Sequence, residues 1–405
     1  MQTPRKILIT CAAYPPNVKG GGEKSTQLLA QGLSQLGHDV HVLTISDRAV
    51  EYLDTDGSTQ VRAIESPNIY WNFRPQSSAV KKLVWHLLDN FNPHSKRGVR
   101  GALEVIQPDV VISSTIENFG AGVWIACKAA NIPVIHILRS YYTRCFKGTM
   151  FADGANCETP CTQCRVLTWG RRQAALRVDG LVGISQFILD AHTATFPFAR
   201  FRVIANAVKA SPPALNTRER NGLLTFGYLG RIEPEKGVAE ILAAFATLPT
   251  HCQLVVAGKG EEAYVSQLKT TYASDRIRFL GWVEADLVYP QIDFAIVPSL
   301  WNEPFGRVVI EAYAMGVPVI AAARGGLSEL VDEGVTGYLF DPEQAHGLQN
   351  ALLRASGNLN GLPQMSDVVR ERAKRYAPDV IAQQYAAFVE DVLQKTGANP
   401  EEARP

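Results

Sequence analysis

Short apolar runs alternate along the chain with segments whose apolar residues recur at the spacing of a helix. In the first half, a helix is predicted over residues 23–36, and Gly37 follows where a C-cap glycine belongs. The runs are continuous in Val and Ile, which is typical of strands buried on both faces of a parallel sheet. These strands are predicted at residues 6–10, 40–45, 109–113 and 133–138.

The same alternation starts again in the second half. Residues 206–221 contain Pro212 and Pro213 and predict a linker. Beyond it, helices are predicted over residues 238–248 and 378–395. The second-half strands are predicted at residues 223–230, 253–257, 277–280, 294–298 and 318–322.

Two runs of strand–helix alternation predict an α/β chain with two doubly wound, Rossmann-like domains that face each other across a cleft. The length of 405 residues supports two or three domains. We expect an N-terminal domain over residues 1–205 and a C-terminal domain over residues 206–377. Residues 378–405 are expected to form a C-terminal helix and tail, with the N-terminal domain as a candidate surface for its packing.

The composition limits the partners and the location of the chain. Lys and Arg total 40 and Asp and Glu total 39, so the net charge is +1 and no global field attracts nucleic acid. No stretch has the length and apolar character of a bilayer span. The seven cysteines are an odd number for a disulfide framework, so we expect a cytoplasmic, reducing location.

Two familiar nucleotide-binding motifs are incomplete. The run Gly22-Glu23-Lys24 lacks the glycine that directly precedes the lysine of a phosphate-binding P-loop. A nicotinamide-dinucleotide site needs its glycines directly after the first strand, whereas Gly20 comes roughly ten residues later. We therefore reject the P-loop and give a nicotinamide site little weight.

Residues 303–311 contain two carboxylates, Glu303 and Glu311, after a predicted strand. A helix that begins near Phe305 leaves Glu303 in the preceding loop and places Glu311 nearly two turns inside the helix. Gly306 lets a ligand approach the backbone N–H groups at the helix start, where the dipole favours anions. A helix-terminal acid and a solvated glutamate explain the same residues equally well.

Two further loops carry chemistry that suits a diphosphate. Arg231 and Lys236 lie in a loop at the C-terminal end of a predicted strand, where open α/β sheets bind ligands. Arginine binds phosphate bidentately and lysine supplies a point charge, although a charged surface turn also fits. Gly20, Gly21 and Gly22 let the backbone approach a ligand closely, or form a flexible turn.

Together these segments resemble the retaining, nucleotide-sugar-dependent glycosyltransferases of family four, which have the GT-B fold. The resemblance covers essentially the whole chain, and the order and spacing of the segments are more specific than any single motif. It is carried by residues 14–23, 37–44, 203–208, 230–237, 303–321, 325–331 and 337.

The resemblance implies a catalytic set of three residues. Arg231 and Lys236 would hold the donor diphosphate and stabilise the departing nucleotide, and Glu303 would contact the donor sugar. Such enzymes generally require no cofactor or metal for catalysis, because arginine and lysine replace the metal. The implied partners are a nucleotide-sugar donor of the UDP, GDP or ADP type and a hydroxyl acceptor.

The resemblance also implies further donor-binding residues. Glu311 would bind the ribose hydroxyls, and Gly21 and Gly22 would approach the diphosphate. Phe305 and Gly306 would offer backbone N–H groups near the donor sugar. These roles predict transfer of a sugar to a glycan, a lipid-linked molecule or a small molecule.

Several alternatives stay open. Retention proceeds either with Glu303 as a nucleophile or by front-face attack, in which the leaving phosphate takes the acceptor proton. Arg139 stands where many relatives have a histidine that points at the donor sugar, whereas His136 is expected in the core. Arg139 could meet a sugar hydroxyl or an acidic acceptor. The alternative functions are a GT-B nucleotide-sugar epimerase and a non-catalytic nucleotide-sugar-binding subunit.

Four cysteines, Cys145, Cys157, Cys161 and Cys164, fall close together within residues 140–170, which we interpret as an insertion in the N-terminal domain. Their spacing is compatible with a structural zinc site, with free thiols or with a disulfide. The sequence alone ranks the metal site and the free thiols equally.

Residues 74–100 combine basic and aromatic residues, a pattern found in helices that lie on anionic membranes. The basic residues include Arg74, and the aromatic residues include Trp85 and Phe91. Peripheral contact with the inner membrane face is one interpretation. A solvated helix whose aromatic residues point inward is the other, and we favour it.

Overall fold

The computed structural model describes residues 3–18, 20–69, 79–209 and 222–398. Its internal contacts divide the chain into two compact units, referred to below as the first and the second unit. Within the described ranges, the first unit contains the chain up to Met150, Cys157–Ala207 and the helix from Pro378 onward. The second unit contains Phe151–Asn156 and Val208–Ala377.

The first half of the chain forms ten strands and seven helices among the described residues, and most predicted strands are found there within a residue or two of their expected bounds. The helix expected from residue 23 begins two residues earlier. In chain order, the elements are β1 (Lys6–Cys11), α1 (Gly21–Gln35), β2 (Asp39–Ser46), β3 (Val50–Leu53), β4 (Gln60–Glu65), α2 (Ala79–Leu88), α3 (Pro93–Ile106), β5 (Val110–Ser113), α4 (Gly122–Ala129), β6 (Val134–Leu138), β7 (Phe151–Ala152), β8 (Ala155–Asn156), α5 (Thr162–Leu167), α6 (Trp169–Ala175), β9 (Gly180–Gly183), α7 (Gln186–Asp190) and β10 (Arg200–Val203).

The first unit is built on an eight-stranded sheet in the order β10-β9-β6-β5-β1-β2-β4-β3. All neighbours are parallel except β3 and β4 at one edge. The central strand β1 pairs on both sides, with Ile7 opposite Val40 on β2 and Val110 on β5. Because β1 and β5 are covered on both faces, their Val and Ile residues are fully buried, as their continuous apolar runs predict.

The second unit is built from Val208–Ala377 and the β7–β8 hairpin. Its main sheet has six parallel strands in the order β13-β12-β11-β14-β15-β16. The core lies on this sheet and includes Phe226, Phe245 and Phe294. Its elements are β11 (Leu224–Leu229), α8 (Val238–Phe245), β12 (Cys252–Ala257), α9 (Glu262–Thr271), β13 (Ile277–Gly281), α10 (Ala285–Val288), β14 (Phe294–Val297), α11 (Arg307–Ala314), β15 (Val319–Ala322), β16 (Gly337–Phe340), α12 (Gly347–Gly357) and α13 (Leu362–Ala373).

The C-terminal helix α14 (Pro378–Ala398) belongs to the first unit and packs against α1. A Cβ atom on Gly32 of α1 would lie 2.8 Å from Cβ of Ala382, so the two helices approach too closely for a larger residue. An ion pair of 2.7 Å also joins Glu390 of α14 to Arg5, which directly precedes β1. The predicted linker falls mostly on residues 210–221, which lie outside the described residues.

Candidate functional site

Lys236 and Glu303 form a close ion pair in the second unit. The Lys236 Nζ lies 2.6 Å from Oε1 of Glu303, and the two side chains are only 18% and 13% exposed. The same oxygen accepts hydrogen bonds from Ser299 Oγ at 2.8 Å and from Trp301 Nε1 at 3.0 Å. Three donors on one oxygen hold the carboxylate in a single orientation. The Lys236 ammonium also lies 4.9 Å from the centre of the Trp301 ring, a cation–π contact.

The chain brings these residues together by packing two strand-end loops tightly. Lys236 ends a single 3₁₀ turn after β11, and Gly237 follows in a left-handed conformation with φ of 72°. A Cβ on Gly237 would lie 2.2 Å from the carbonyl oxygen of Pro298, directly after β14. The Leu300 N–H donates to the Glu235 carbonyl at 2.9 Å. Since β11 and β14 are parallel neighbours, both loops lie at the carboxyl edge of the sheet.

A third loop, after β15, supports the backbone of Glu303. The Gly326 N–H donates to the Glu303 carbonyl at 2.8 Å. Gly325 has φ of 56°, and a Cβ there would lie 2.3 Å from the same carbonyl oxygen. The glycine pair therefore permits an approach that a side chain would block.

Arg231 occupies the same β11 loop but is far more exposed. Its side chain is 64% exposed and pairs with Glu233 at 2.7 Å. Its backbone is fixed, because its carbonyl accepts a hydrogen bond from the buried Tyr228 hydroxyl. Burial, and then the nearby carboxylates of Glu303 and Glu233, raise the pKa of Tyr228 and keep that hydroxyl protonated. The structure thus leaves the Arg231 guanidinium at the surface of the loop.

The helix after Glu303 begins later than expected. We predict a start near Phe305, but α11 begins at Arg307, after Gly306 with φ of 104°. A Cβ on Gly306 would lie 2.3 Å from Cδ2 of Leu327, so only glycine fits. The Phe305 ring is buried and contacts Tyr376 edge to face. The phenyl ring is therefore part of the core, and only its backbone is a candidate for ligand contact.

Glu311 lies one turn inside α11, nearer to the helix start than expected. Its Oε1 accepts a hydrogen bond of 2.7 Å from Arg307 Nε, and both side chains are largely buried. Sequence reasoning missed Arg307, although the spacing of four residues on a helix is a signal for such a pair.

In the first unit, Arg139 lies beside the glycine-rich start of α1. Its Nε donates to Ser114 Oγ at 2.8 Å, and its Nη1 donates to Asn206 Oδ1. A Cβ on Gly22 would lie 3.7 Å from Cδ of Arg139, which is ordinary contact. Gly21 is the first residue of α1, and the glycine run thus meets Arg139 at the carboxyl edge of the first sheet.

Glu117 is a second charged residue of this region. Unlike Arg139, it was missed by the sequence analysis. It is half-buried and accepts a hydrogen bond from Ser140 Oγ at 3.3 Å. It lines a small cavity that Arg139 and Ser114 also line. Burial raises the pKa of Glu117 above its ordinary value. Its place just after β5, next to the central strand, is the signal that could have found it.

His136 lies inside β6 and is a core residue, as expected. It is 5% exposed, and its ring stacks against Phe196. Burial lowers the pKa of His136 to about 3, so the imidazole is neutral at physiological pH.

None of the seven cysteines, all of which lie within the described residues, forms a disulfide. Cys145 and Cys164 are buried, Cys157 is half-buried and Cys161 is exposed. Among the described residues, no group of three or more His, Cys, Asp or Glu side chains is arranged to hold a metal ion. The Cys164 thiol nevertheless interacts through side-chain hydrogen bonds with the thiols of Cys161 and Cys145. A structural zinc stays a prediction.

The basic and aromatic segment is described only in part. Arg74 lies outside the described residues, whereas Trp85 is buried and donates a hydrogen bond to Asn118 at 2.9 Å. Phe91, by contrast, is 50% exposed. Within the described ranges, none of the helices has the length and apolar character to cross a membrane.

Comparisons with known proteins follow the division of the chain. Residues 20–207 match the family model described as "Glycosyl transferase 4-like domain", and residues 216–375 match the model "Glycosyl transferases group 1". An uncharacterized 42.6 kDa protein in the cps region of Klebsiella pneumoniae is 28% identical, over 80% of this chain and 86% of that protein. The glycogen synthase of Mycobacterium tuberculosis is 27% identical, over 86% of this chain and 85% of that protein.

Solved structures share the fold. Alr3699/HepE of Anabaena, determined in complex with UDP and glucose, has a TM-score of 0.70 and 22% identity to this chain. The match covers 95% of this chain and 99% of that one.

Proposed function

Because this chain belongs to family four of the glycosyltransferases, which have the GT-B fold, we propose that it transfers a hexosyl group with retention of the anomeric configuration. It is a glycosyltransferase that uses a nucleotide-sugar donor. The acceptor is a hydroxyl group. The observation that carries the proposal is the Lys236–Glu303 pair at the carboxyl edge of the second sheet.

Lys236 and Arg231 provide the positive charge for the donor diphosphate. Lys236 is preorganised by its contacts with Glu303 and Trp301, whereas Arg231 is exposed and pairs with Glu233 of its own loop. Charge held in place before the reaction stabilises the leaving nucleotide without further reorganisation. This arrangement supports departure of the leaving nucleotide.

Glu303 is assigned to the donor sugar and Glu311 to the ribose. One oxygen of Glu303 already accepts three hydrogen bonds, which lowers its reactivity as a nucleophile. We therefore favour front-face attack. The bond between the anomeric carbon and the phosphate oxygen breaks, the acceptor oxygen bonds to that carbon, and the leaving phosphate takes the acceptor proton.

Thermal unfolding with UDP-glucose, GDP-mannose and ADP-glucose tests the donor site, and Lys236→Ala is the informative variant. UDP-glucose comes first because Alr3699/HepE was solved with UDP and glucose. A donor at 100 times its dissociation constant stabilises the fold by about 2.7 kcal/mol. We expect one donor to raise the melting temperature of the wild type and of Lys269→Ala, an exposed lysine on α9, but not of Lys236→Ala.

Transfer itself needs a second measurement. Release of nucleoside diphosphate that depends on an added hydroxyl acceptor would support the transferase. Donor binding without any turnover would favour the non-catalytic binding subunit, and conversion of the donor sugar without an acceptor would favour the epimerase.

We also propose that α2 and α3 form a peripheral contact with a membrane. Five of the ten residues of α2 are exposed and apolar, and the following helix α3 presents exposed basic residues. Apolar side chains with adjacent positive charge suit an anionic membrane surface. The exposed apolar residues are Val80, Leu83, Val84, Leu87 and Leu88, and the basic ones are Lys96, Arg97 and Arg100.

Sedimentation with vesicles tests this contact. We expect the wild type to bind vesicles that contain phosphatidylglycerol and not vesicles of phosphatidylcholine alone. Leu83→Ser with Leu87→Ser should abolish binding, while Leu353→Ser on α12 of the second unit, also exposed, should not. Equal binding by all variants would contradict the proposal.

A further inference from the structure

The β7–β8 hairpin is a short piece of the first half of the chain that belongs to the second unit. Phe151 pairs with Asn156 and Ala152 with Ala155, around a turn in which Asp153 and Gly154 have positive φ. Asn156 is the last residue of the hairpin and is half-buried.

The Asn156 side chain makes two hydrogen bonds to the backbone of one loop. Its Nδ2 donates to the Leu300 carbonyl oxygen at 2.9 Å, and its Oδ1 accepts from the Asn302 N–H at 2.7 Å. Leu300 and Asn302 flank Trp301, so the amide bridges the loop at the position of the indole. An amide carries its donor and its acceptor on two separate atoms, so this one short side chain satisfies both partners.

The bridged loop is the one that orients Glu303. Trp301 donates to the Glu303 carboxylate and carries the Lys236 ammonium on its ring. On its other side the loop is tied to the β11 loop by the hydrogen bond from the Leu300 N–H to the Glu235 carbonyl. Asn156 therefore supplies a further attachment, from the β7–β8 hairpin, for a segment that has no helix or strand of its own.

We propose that Asn156 is a positioning residue for sugar transfer. It holds the backbone on both sides of Trp301. The indole then keeps the Glu303 carboxylate and the Lys236 ammonium in position to contact the donor. The inference rests on the proposed function, because that function assigns Glu303 to the donor sugar. Displacement of a catalytic group by about 1 Å can lower turnover by roughly 100-fold. Loss of the hydrogen bonds that hold this loop should therefore slow the transfer.

Asn156→Ala and Asn156→Asp test the two hydrogen bonds separately. The alanine variant loses both, whereas the aspartate keeps the acceptor for the Asn302 N–H and loses the donor to Leu300. We expect kcat to fall about 10-fold in the alanine variant and at least as much in the aspartate variant, whose second carboxylate oxygen would face the Leu300 carbonyl oxygen without a donor between them. The dissociation constant for nucleoside diphosphate alone should change less than threefold. Thr159→Ala, an exposed neighbour, is the matched control and should match the wild type.

A double-mutant cycle with Trp301→Phe separates positioning from general destabilisation. The phenylalanine removes the N–H that donates to Glu303, so the route from Asn156 to the carboxylate is already broken. In that background, Asn156→Ala should cost less than threefold in kcat. Equal fold-changes in both backgrounds, or an unchanged kcat in Asn156→Ala, would overturn the inference.

Failure of the proposed function looks different from failure of this inference. If the wild type turns over no nucleotide sugar, both the proposed function and the role of Asn156 are contradicted. An active wild type with an equally active Asn156→Ala variant overturns the inference alone. If Asn156→Ala does not fold, the Asn156→Asp variant in the same cycle decides, because it keeps one of the two bonds.

Discussion

The two units share an α/β architecture but hold their charged side chains differently. In the second unit, Lys236 and Glu303 pair with each other in loops at the sheet edge and keep part of their surface exposed. In the first unit, Asp89 and Arg171 are fully buried, and Arg171 donates to the carbonyls of Tyr142 and Leu167. A charged side chain that is paired in a loop can still contact a ligand. A charged side chain that is buried and bonded to the backbone serves the folded structure and cannot contact a ligand.

Lys236→Ala is expected to cause the largest loss of activity. It removes the cation from the diphosphate and also leaves the Glu303 carboxylate without its ion-pair partner. We expect kcat/KM to fall about 1,000-fold, in the range known for a lost electrostatic stabiliser. Steady-state kinetics with the donor identified by thermal unfolding measures this, with Lys269→Ala as the control. A loss below tenfold would place the diphosphate elsewhere.

Glu303→Gln is expected to lower kcat about 100-fold. The amide keeps the size of the side chain and can still accept hydrogen bonds, but it loses the charge that pairs with Lys236. A loss of about 10⁵-fold or more in Glu303→Gln, together with a glycosyl-enzyme trapped on Glu303 of the wild type, would show that Glu303 is the nucleophile instead. The Glu311→Gln variant is the comparison, since that residue is assigned to the ribose and should affect the donor KM more than kcat.

Arg139→Ala is expected to have a smaller effect that concerns the acceptor. The guanidinium is held by Ser114 and Asn206 in the first unit. We expect the acceptor KM to rise about tenfold while the donor KM changes little, in line with loss of one charged hydrogen bond. Arg48→Ala, an exposed arginine of the same unit, should behave as wild type. A donor KM that rises equally would reassign Arg139 to the donor sugar.

Asp89→Asn should change stability with pH and leave activity almost unchanged. Burial raises the pKa of Asp89 to about 7, so the folded state keeps a proton that the unfolded state has lost. The free energy of unfolding therefore falls as pH rises from the ordinary pKa of an aspartate through about 7. Urea unfolding at pH 5 and pH 7.5 should show a flatter dependence in Asp89→Asn than in the wild type, with a difference on the order of a few kcal/mol. An equal pH dependence of the free energy of unfolding in the two proteins would show that a group other than Asp89 causes it.

Local spacing predicted much of the fold and part of the site. Continuous apolar runs predicted the central strands, because burial on both faces imposes that composition. The strands β3 and β4 were missed, since β3 is a short and almost wholly exposed edge strand and its neighbour β4 alternates between buried and more exposed positions. Lys236 and Glu303 were identified from loops that follow strands, and the structure joins them across 67 residues of chain. Their roles in donor binding remain predictions.

The sequence by itself determined the order of strands and helices, the two-part α/β organisation and the glycines that each loop requires. These properties depend on residues that are close together along the chain. Only the tertiary structure decided that Arg307 holds Glu311, that Glu117 lies beside Arg139 and that Asn156 bridges the loop around Trp301. The last contact spans 144 residues. Such contacts depend on which strands become neighbours and on how their loops pack, and no local spacing encodes that choice.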